Sequence, residues 1–127
     1  MVDFKQKEKY DINDLLEIMR LLRAPGGCPW DAQQTHMSIR KNLIEETYEV
    51  IEAIDKDDKE LMTEELGDLL MQVVFHAQME QEAGNFDFGD VTDGVCKKLI
   101  ERHPHVFGEV EVSGVGDVLN NWDAIKR

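Results

Sequence analysis

The sequence is short of several things, and each shortage excludes something. It has two cysteines, Cys28 and Cys96, in 127 residues. They form no CxxC pair and no zinc-spaced cluster with histidine, so a disulfide scaffold or a structural zinc site is not expected. No apolar run approaches the roughly 18–20 residues needed to span a bilayer. The opening MVDFKQKEKY lacks the apolar core of a signal peptide. These absences predict a cytoplasmic protein without a membrane partner. Basic residues are scarce too: 14 Lys and Arg stand against 27 Asp and Glu, a formal net charge of −13. Such a chain repels nucleic-acid backbone and anionic membranes, so nucleic acid is not an expected partner. GNFDFGD (84–90) has the glycine spacing of a phosphate loop without its GK[ST] ending, and no GxSxG is present. No repeat, low-complexity tract or linker interrupts the chain. Residues 1–127 therefore read as a single domain, with 1–10 as a flexible arm.

What is there is helical periodicity. Ile12, Leu15, Leu16, Met19 and Leu22 share one side of a helix over about 12–23, stopped by Pro25-Gly26-Gly27. A second helix spans about 34–54. Asp31 with Gln34 resembles a capping box for it, and Thr35 and Ser38 are competing starts. The DKDD run (55–58) breaks that helix and caps a third over about 59–83, which stops at Gly84-Asn85. A fourth covers about 88–102, and Pro104 forbids its extension. FGEVEVSGV then suggests a short extended piece, and a last helix runs over about 117–126. The expected fold is all-α, an antiparallel bundle of four to five helices with short connections.

Two helices carry unusual acids. In LIEETYEVIEAI, Leu43, Thr47, Val50, Ile51 and Ile54 fall on one broad face, while Glu45, Glu49 and Glu52 fall opposite and Glu46 sits at the flank. A solvated acidic face explains this pattern by itself. Like charges at i,i+4, such as Glu45 and Glu49, nevertheless repel, and no lysine relieves them between Glu45 and Ile54. The third helix is apolar all round, which predicts burial and places Glu65 and Asp68 near the centre of the protein. A buried, unpaired carboxylate costs several kcal/mol. No Lys or Arg lies between Lys59 and Lys97 to compensate. A divalent cation bound jointly by Glu65, Asp68 and the facing acids is the natural solution. Oxygen ligands without Cys or His favour magnesium or manganese over zinc. Gly67, costly inside a helix, is expected to permit close approach of a helix or ligand, or to serve packing alone.

EETYE (45–49) followed by ELGD (65–68) resembles the EExxE…ExxD signature of the all-α NTP pyrophosphohydrolases, specifically the MazG-like branch. The resemblance runs over nearly the whole chain from about Leu15. It includes GCPWD (27–31), QT (34–35), ELGDLLMQVVFHAQ (65–78), FDF (86–88), ERHPHVF (101–107) and the closing Trp122 to Lys126. It implies a dimerising helical bundle, or a higher oligomer, that uses Mg2+ (Mn2+ as a substitute). The implied reaction cleaves nucleoside triphosphates between the α and β phosphates, giving a nucleoside monophosphate and pyrophosphate. Position by position, it implies Glu46, Glu49, Glu65 and Asp68 as metal ligands, and Glu45 as a holder of a further metal or orienter of water. It implies Lys98, Arg102, Trp122 and Lys126 as nucleotide-binding residues. Their spacing suits that role, since Lys98 and Arg102, like Trp122 and Lys126, stand at i,i+4.

Two rival readings follow from the same residues. The family also contains two-domain proteins, whereas this chain carries one copy, so a weakly active nucleotide-binding or dimerisation module is the alternative. A carboxylate-bridged di-iron bundle fits less well, because it pairs Glu-x-x-His and this chain pairs Glu with Glu or Asp. Trp30 is read as a loop anchor before a base-stacking residue. HPH (103–105) is read as a helix terminator, and His36 and His76 have no ligand-spaced partners in the sequence.

Overall fold

The computed structural model describes residues 1–109 and 114–126, with side chains to residue 120 in the last helix. Seven helices follow one another: α1 (Ile12–Arg23), α2 (Pro29–Gln33), α3 (His36–Asp55), α4 (Lys59–Glu82), α5 (Phe88–Glu101), α6 (Pro104–Phe107) and α7 (Val115–Lys126). No strand occurs among the described residues; residues 110–113 of the expected extended piece lie outside them. No helix of the described chain is long and apolar enough to cross a membrane. The chain forms two compact units, Met1–Phe88 and Gly89–Arg127.

Local chemistry sets the helix ends in the first unit. Asp11 caps α1 in a reciprocal box with Asp14, whose carboxylate also takes a 2.7 Å bond from Lys7. Asp31 does not cap α3; it lies inside the short α2. Thr35 performs that role instead, with Ser38 closing a reciprocal box. Asp58 caps α4 by accepting from the Leu61 amide. After α4 the chain turns at Gly84, whose φ of +77° is natural only to glycine.

The short turn between α3 and α4 makes them an antiparallel hairpin, the most extensive helix pairing among the described residues. α1 packs across α4. Met19, Ile39, Val74, Phe75 and Met79 form the core, flanked by Leu15, Leu16 and Phe88. Arg23 locks the end of α1 to its neighbours. It makes a bidentate pair with Glu82 at 2.8 and 3.0 Å, donates to the carbonyls of Asp31 and Gln34, and lies over the Phe75 ring.

Two expectations need correction. α4 is not buried all round: Leu66, Leu70, Met71 and Val73 are exposed. The expected apolar face of α3 also divides, with Val50 buried while Thr47, Ile51 and Ile54 stay open, and Ile39 and Ala53 supply the rest of the packing. Hydrophobicity calls for burial but does not say that the same chain provides the cover. Gly67 has no atom within 4 Å of a built Cβ, so no described part of the chain makes the close approach expected there.

In the second unit, α5 ends where the Arg102 amide donates to Lys98 at 2.9 Å, and Pro104 opens α6.

Candidate metal centre

The acids of the hairpin converge. Glu46 and Glu49 stand one turn apart on α3, and Glu65 and Asp68 one turn apart on α4. Each of Glu46, Glu49 and Glu65 offers an oxygen within 4.8 Å of the others. Glu65 is buried at 7% exposure, Glu46 and Asp68 are half-buried, and Glu49 is exposed. Glu65 and Asp68 therefore do not lie at the protein's centre. They lie on the α3–α4 seam, with Glu65 buried and Asp68 half-buried beside the exposed Glu49.

Charge crowding is plain in the protonation behaviour. A side-chain hydrogen bond with Glu49 raises Glu65 to about 7, helped by burial and by the charges of Glu49, Asp68 and Glu46. Burial raises Glu46 too, followed by the charges of Asp68 and Glu49; its own bond with Glu65 pulls the other way. One buried oxygen on each of Glu46 and Glu65 has no hydrogen-bond partner. Buried acceptors without donors fit a cation that belongs between them. The donor set is all carboxylate oxygen, the chemistry of hard divalent ions rather than zinc.

Other expected site residues are placed differently. Glu45 is exposed and turns to Lys41 at 3.8 Å, outside the converging group. Lys98 and Arg102 lie on and just beyond α5, in the second unit. The side chains of Trp122 and Lys126 lie outside the described residues. One acid was missed: Glu64 joins Glu65 and Asp68 in a second group of potential ligands. Its place one helical turn before Asp68 was the available signal.

Comparison with known proteins identifies the family. Residues 34–107 match the MazG nucleotide pyrophosphohydrolase domain, a stretch that contains all the converging acids. The chain is 51% identical over 113 residues to a Thermotoga maritima protein named nucleoside triphosphate pyrophosphohydrolase/pyrophosphatase MazG, covering 89% of this chain and 43% of that protein. It is 50% identical over 116 residues to the nucleoside triphosphate pyrophosphohydrolase of Escherichia coli K12, covering 91% and 44%. It is 48% identical over 118 residues to the uncharacterised YabN of Bacillus subtilis, covering 93% and 24%. The chain thus spans less than half the length of these relatives. The crystal structure of a MazG-related protein from Thermotoga maritima superposes with a TM-score of 0.74 at 29% identity, covering 91% of this chain and 98% of that one.

Proposed function

The chain belongs to the MazG nucleotide pyrophosphohydrolase family, and from that premise we propose that it hydrolyses nucleoside triphosphates. Water attacks between the α and β phosphates, and the products are a nucleoside monophosphate and pyrophosphate. The observation that carries this reading is the convergence of Glu46, Glu49 and Glu65 across the hairpin, with two buried oxygens lacking donors.

Phosphoryl chemistry needs positioning and charge neutralisation more than covalent assistance. A magnesium ion, with manganese as its substitute, supplies that neutralisation and acidifies the attacking water. Glu46, Glu49, Glu65 and Asp68 hold the metal in this reading. Glu45, beside them in sequence, orients water or holds a further metal. Lys98 and Arg102 engage the phosphates, Trp122 offers an aromatic face to base or ribose, and Lys126 adds a cation.

The open apolar stripes complete the proposal. Ile44, Tyr48 and Ile51 repeat at i, i+4 and i+7 on α3, as do Leu66, Leu70 and Val73 on α4, and all are exposed. Tyr48 is 67% exposed. Apolar surface of this extent marks an interaction site, and a second copy of the chain covers it in this reading. Light scattering on the purified chain tests it: a dimer or higher oligomer is expected, and a stable monomer overturns it.

Activity is tested by pyrophosphate release from a panel of NTPs and dNTPs with magnesium. Turnover that disappears in Glu49→Gln and Asp68→Asn, with the helical spectrum intact, supports the enzyme. Tight nucleotide binding without turnover by the wild type assigns the chain to the binding-module alternative.

A further inference from the structure

Beyond the acid cluster, the same hairpin carries a second polar junction toward its other end. His36 opens α3 directly after its cap, and His76 lies on α4. Their Nδ1 atoms are 2.6 Å apart. The rings differ by only 3° in plane, with centroids 4.9 Å apart. At that centroid distance, two imidazoles with Nδ1 atoms in hydrogen-bond contact meet edge to edge rather than face to face. The Nδ1 line is therefore a straight hydrogen bond. On the far side of His36, Nε2 meets Glu80 Oε1 at 2.9 Å, and Asn85 donates to Glu80 Oε2 at 3.0 Å. The remaining ring nitrogen, Nε2 of His76, is buried without a partner.

Counting hydrogens fixes the arrangement. Glu80, a carboxylate, needs a hydrogen on His36 Nε2. The Nδ1 line holds one hydrogen, since two would collide and none would oppose two lone pairs. The neutral pair is then complete, and His76 Nε2 is bare. A third hydrogen has one place left, the buried Nε2 of His76, where no acceptor waits. A metal ion does not fit the line either. Metal–nitrogen bonds of about 2.0 Å leave no room between nitrogens aimed at each other across 2.6 Å.

We propose that His36, His76 and Glu80 form a proton-sensitive clasp that fixes the register of α3 against α4, and that acid opens it by forcing a hydrogen onto the buried nitrogen of His76. The described carboxylates around the pair are already engaged. Arg23 of α1 lines the same cavity of about 240 Å³ as His36 and Glu80, and Arg40 stands one turn along α3. Glu82 of α4 is engaged by Arg23, and Asp31 of α2 gives Arg23 only its backbone carbonyl. Among the described residues Glu80 is the carboxylate that meets the histidine pair, and it is spent on His36. Burial, then the charge of His36, holds His76 below the usual imidazole range. The register matters because each helix carries half of the acid cluster; that consequence rests on the metal reading, whereas the clasp does not.

The test uses the full chain. Nitrogen-15 NMR of the imidazoles near neutral pH should find His36 as the Nε2–H tautomer and His76 as Nδ1–H. Urea unfolding across mildly acidic pH should show the unfolding constant of the wild type rising relative to that of His76→Gln by up to about tenfold per pH unit below about 6.5, the opposing titration of Glu65 and Glu46 being common to both. His76→Gln removes that component, and His36→Gln, at an exposed position, weakens it. Two rings titrating independently as ordinary histidines, or an unchanged acid slope in His76→Gln, would overturn the clasp. Should His76→Gln not fold, the tautomers and His36→Gln still decide. Mn2+ affinity at alkaline pH should fall severalfold in His36→Gln. A wild type that binds no Mn2+ would sink the metal reading, while the tautomers seen by NMR would still decide the clasp.

Discussion

The carboxyl of Glu65 shares a hydrogen bond with that of Glu49 across the α3–α4 seam, and this contact is the main cause that raises Glu65 to about 7. A metal entering the site must displace that proton. Affinity for Mn2+ should therefore fall by about tenfold per pH unit below 7, and binding should release protons near neutrality. Calorimetry in buffers of different ionisation enthalpy measures the release. A pH-independent affinity between 5 and 7 would show that Glu65 is not a ligand.

The same raised group makes the metal-free fold sensitive to alkali. In the folded state Glu65 holds its proton to about 7, against an ordinary value of 4.5. Its contribution is full below the ordinary value and is lost as pH rises through the folded one. Glu65→Gln should therefore be more stable than the wild type at pH 8 without metal, while losing metal binding and turnover. Glu46, also raised, leaves a residual slope of the same sign. Urea midpoints with and without Mn2+ check both halves of the expectation.

Glu45 and Glu49 are both exposed acids on α3, but only Glu49 reaches the converging group, while Glu45 turns to Lys41. Glu49→Gln should weaken Mn2+ binding by about 100-fold, and Glu45→Gln by less than about tenfold. Titration of each variant at one pH separates them. Equal losses would place Glu45 among the ligands.

Signals that act within a few residues were legible in the sequence. Asp58, Pro25 and Gly84 announced helix ends because caps and breakers work locally, whereas Thr35 stood only as a competing start beside Asp31. The five-residue α2 was not legible, since it is too short for periodicity to register. The pairing of EExxE with ExxD could be read because a tight hairpin forces two one-turn pairs to face each other. The exposure of Leu66, Leu70 and Ile51 could not, because an apolar side chain looks the same whether its own chain or another covers it. His36 and His76 are 40 residues apart, and only the register of the hairpin brings them together.

Two glycines should respond oppositely to alanine. A Cβ on Gly27 would sit 2.1 Å from the carbonyl oxygen of Leu21 and 2.6 Å from that of Leu22. The backbone must move, and Cys28 would strain its 2.8 Å bond to Leu22. Gly27→Ala should cost about 2–3 kcal/mol. A Cβ on Gly67 meets nothing within 4 Å in the middle of α4, so Gly67→Ala should gain up to about 1 kcal/mol. Urea denaturation ranks the two, and destabilisation by Gly67→Ala would point to a partner seated against that turn.

Arg23 should be the costliest polar residue to lose outside the metal centre. Its side chain is 8% exposed and joins α1 to Glu82 of α4 and to the carbonyls of Asp31 and Gln34. Truncation to alanine strands those two carbonyls and frees Glu82, which at 39% side-chain exposure is partly rehydrated. Arg23→Ala should therefore lose about 3 kcal/mol, near the lower end for a broken buried pair. Lysine restores the charge but not the fork that reaches Glu82 and the carbonyls at once, so Arg23→Lys should recover less than half. Glu82→Gln keeps an acceptor for that fork and leaves both carbonyl bonds in place, so it should cost less than either. Urea denaturation of the three variants at neutral pH checks that order. A lysine variant as stable as the wild type would show that charge alone holds this junction.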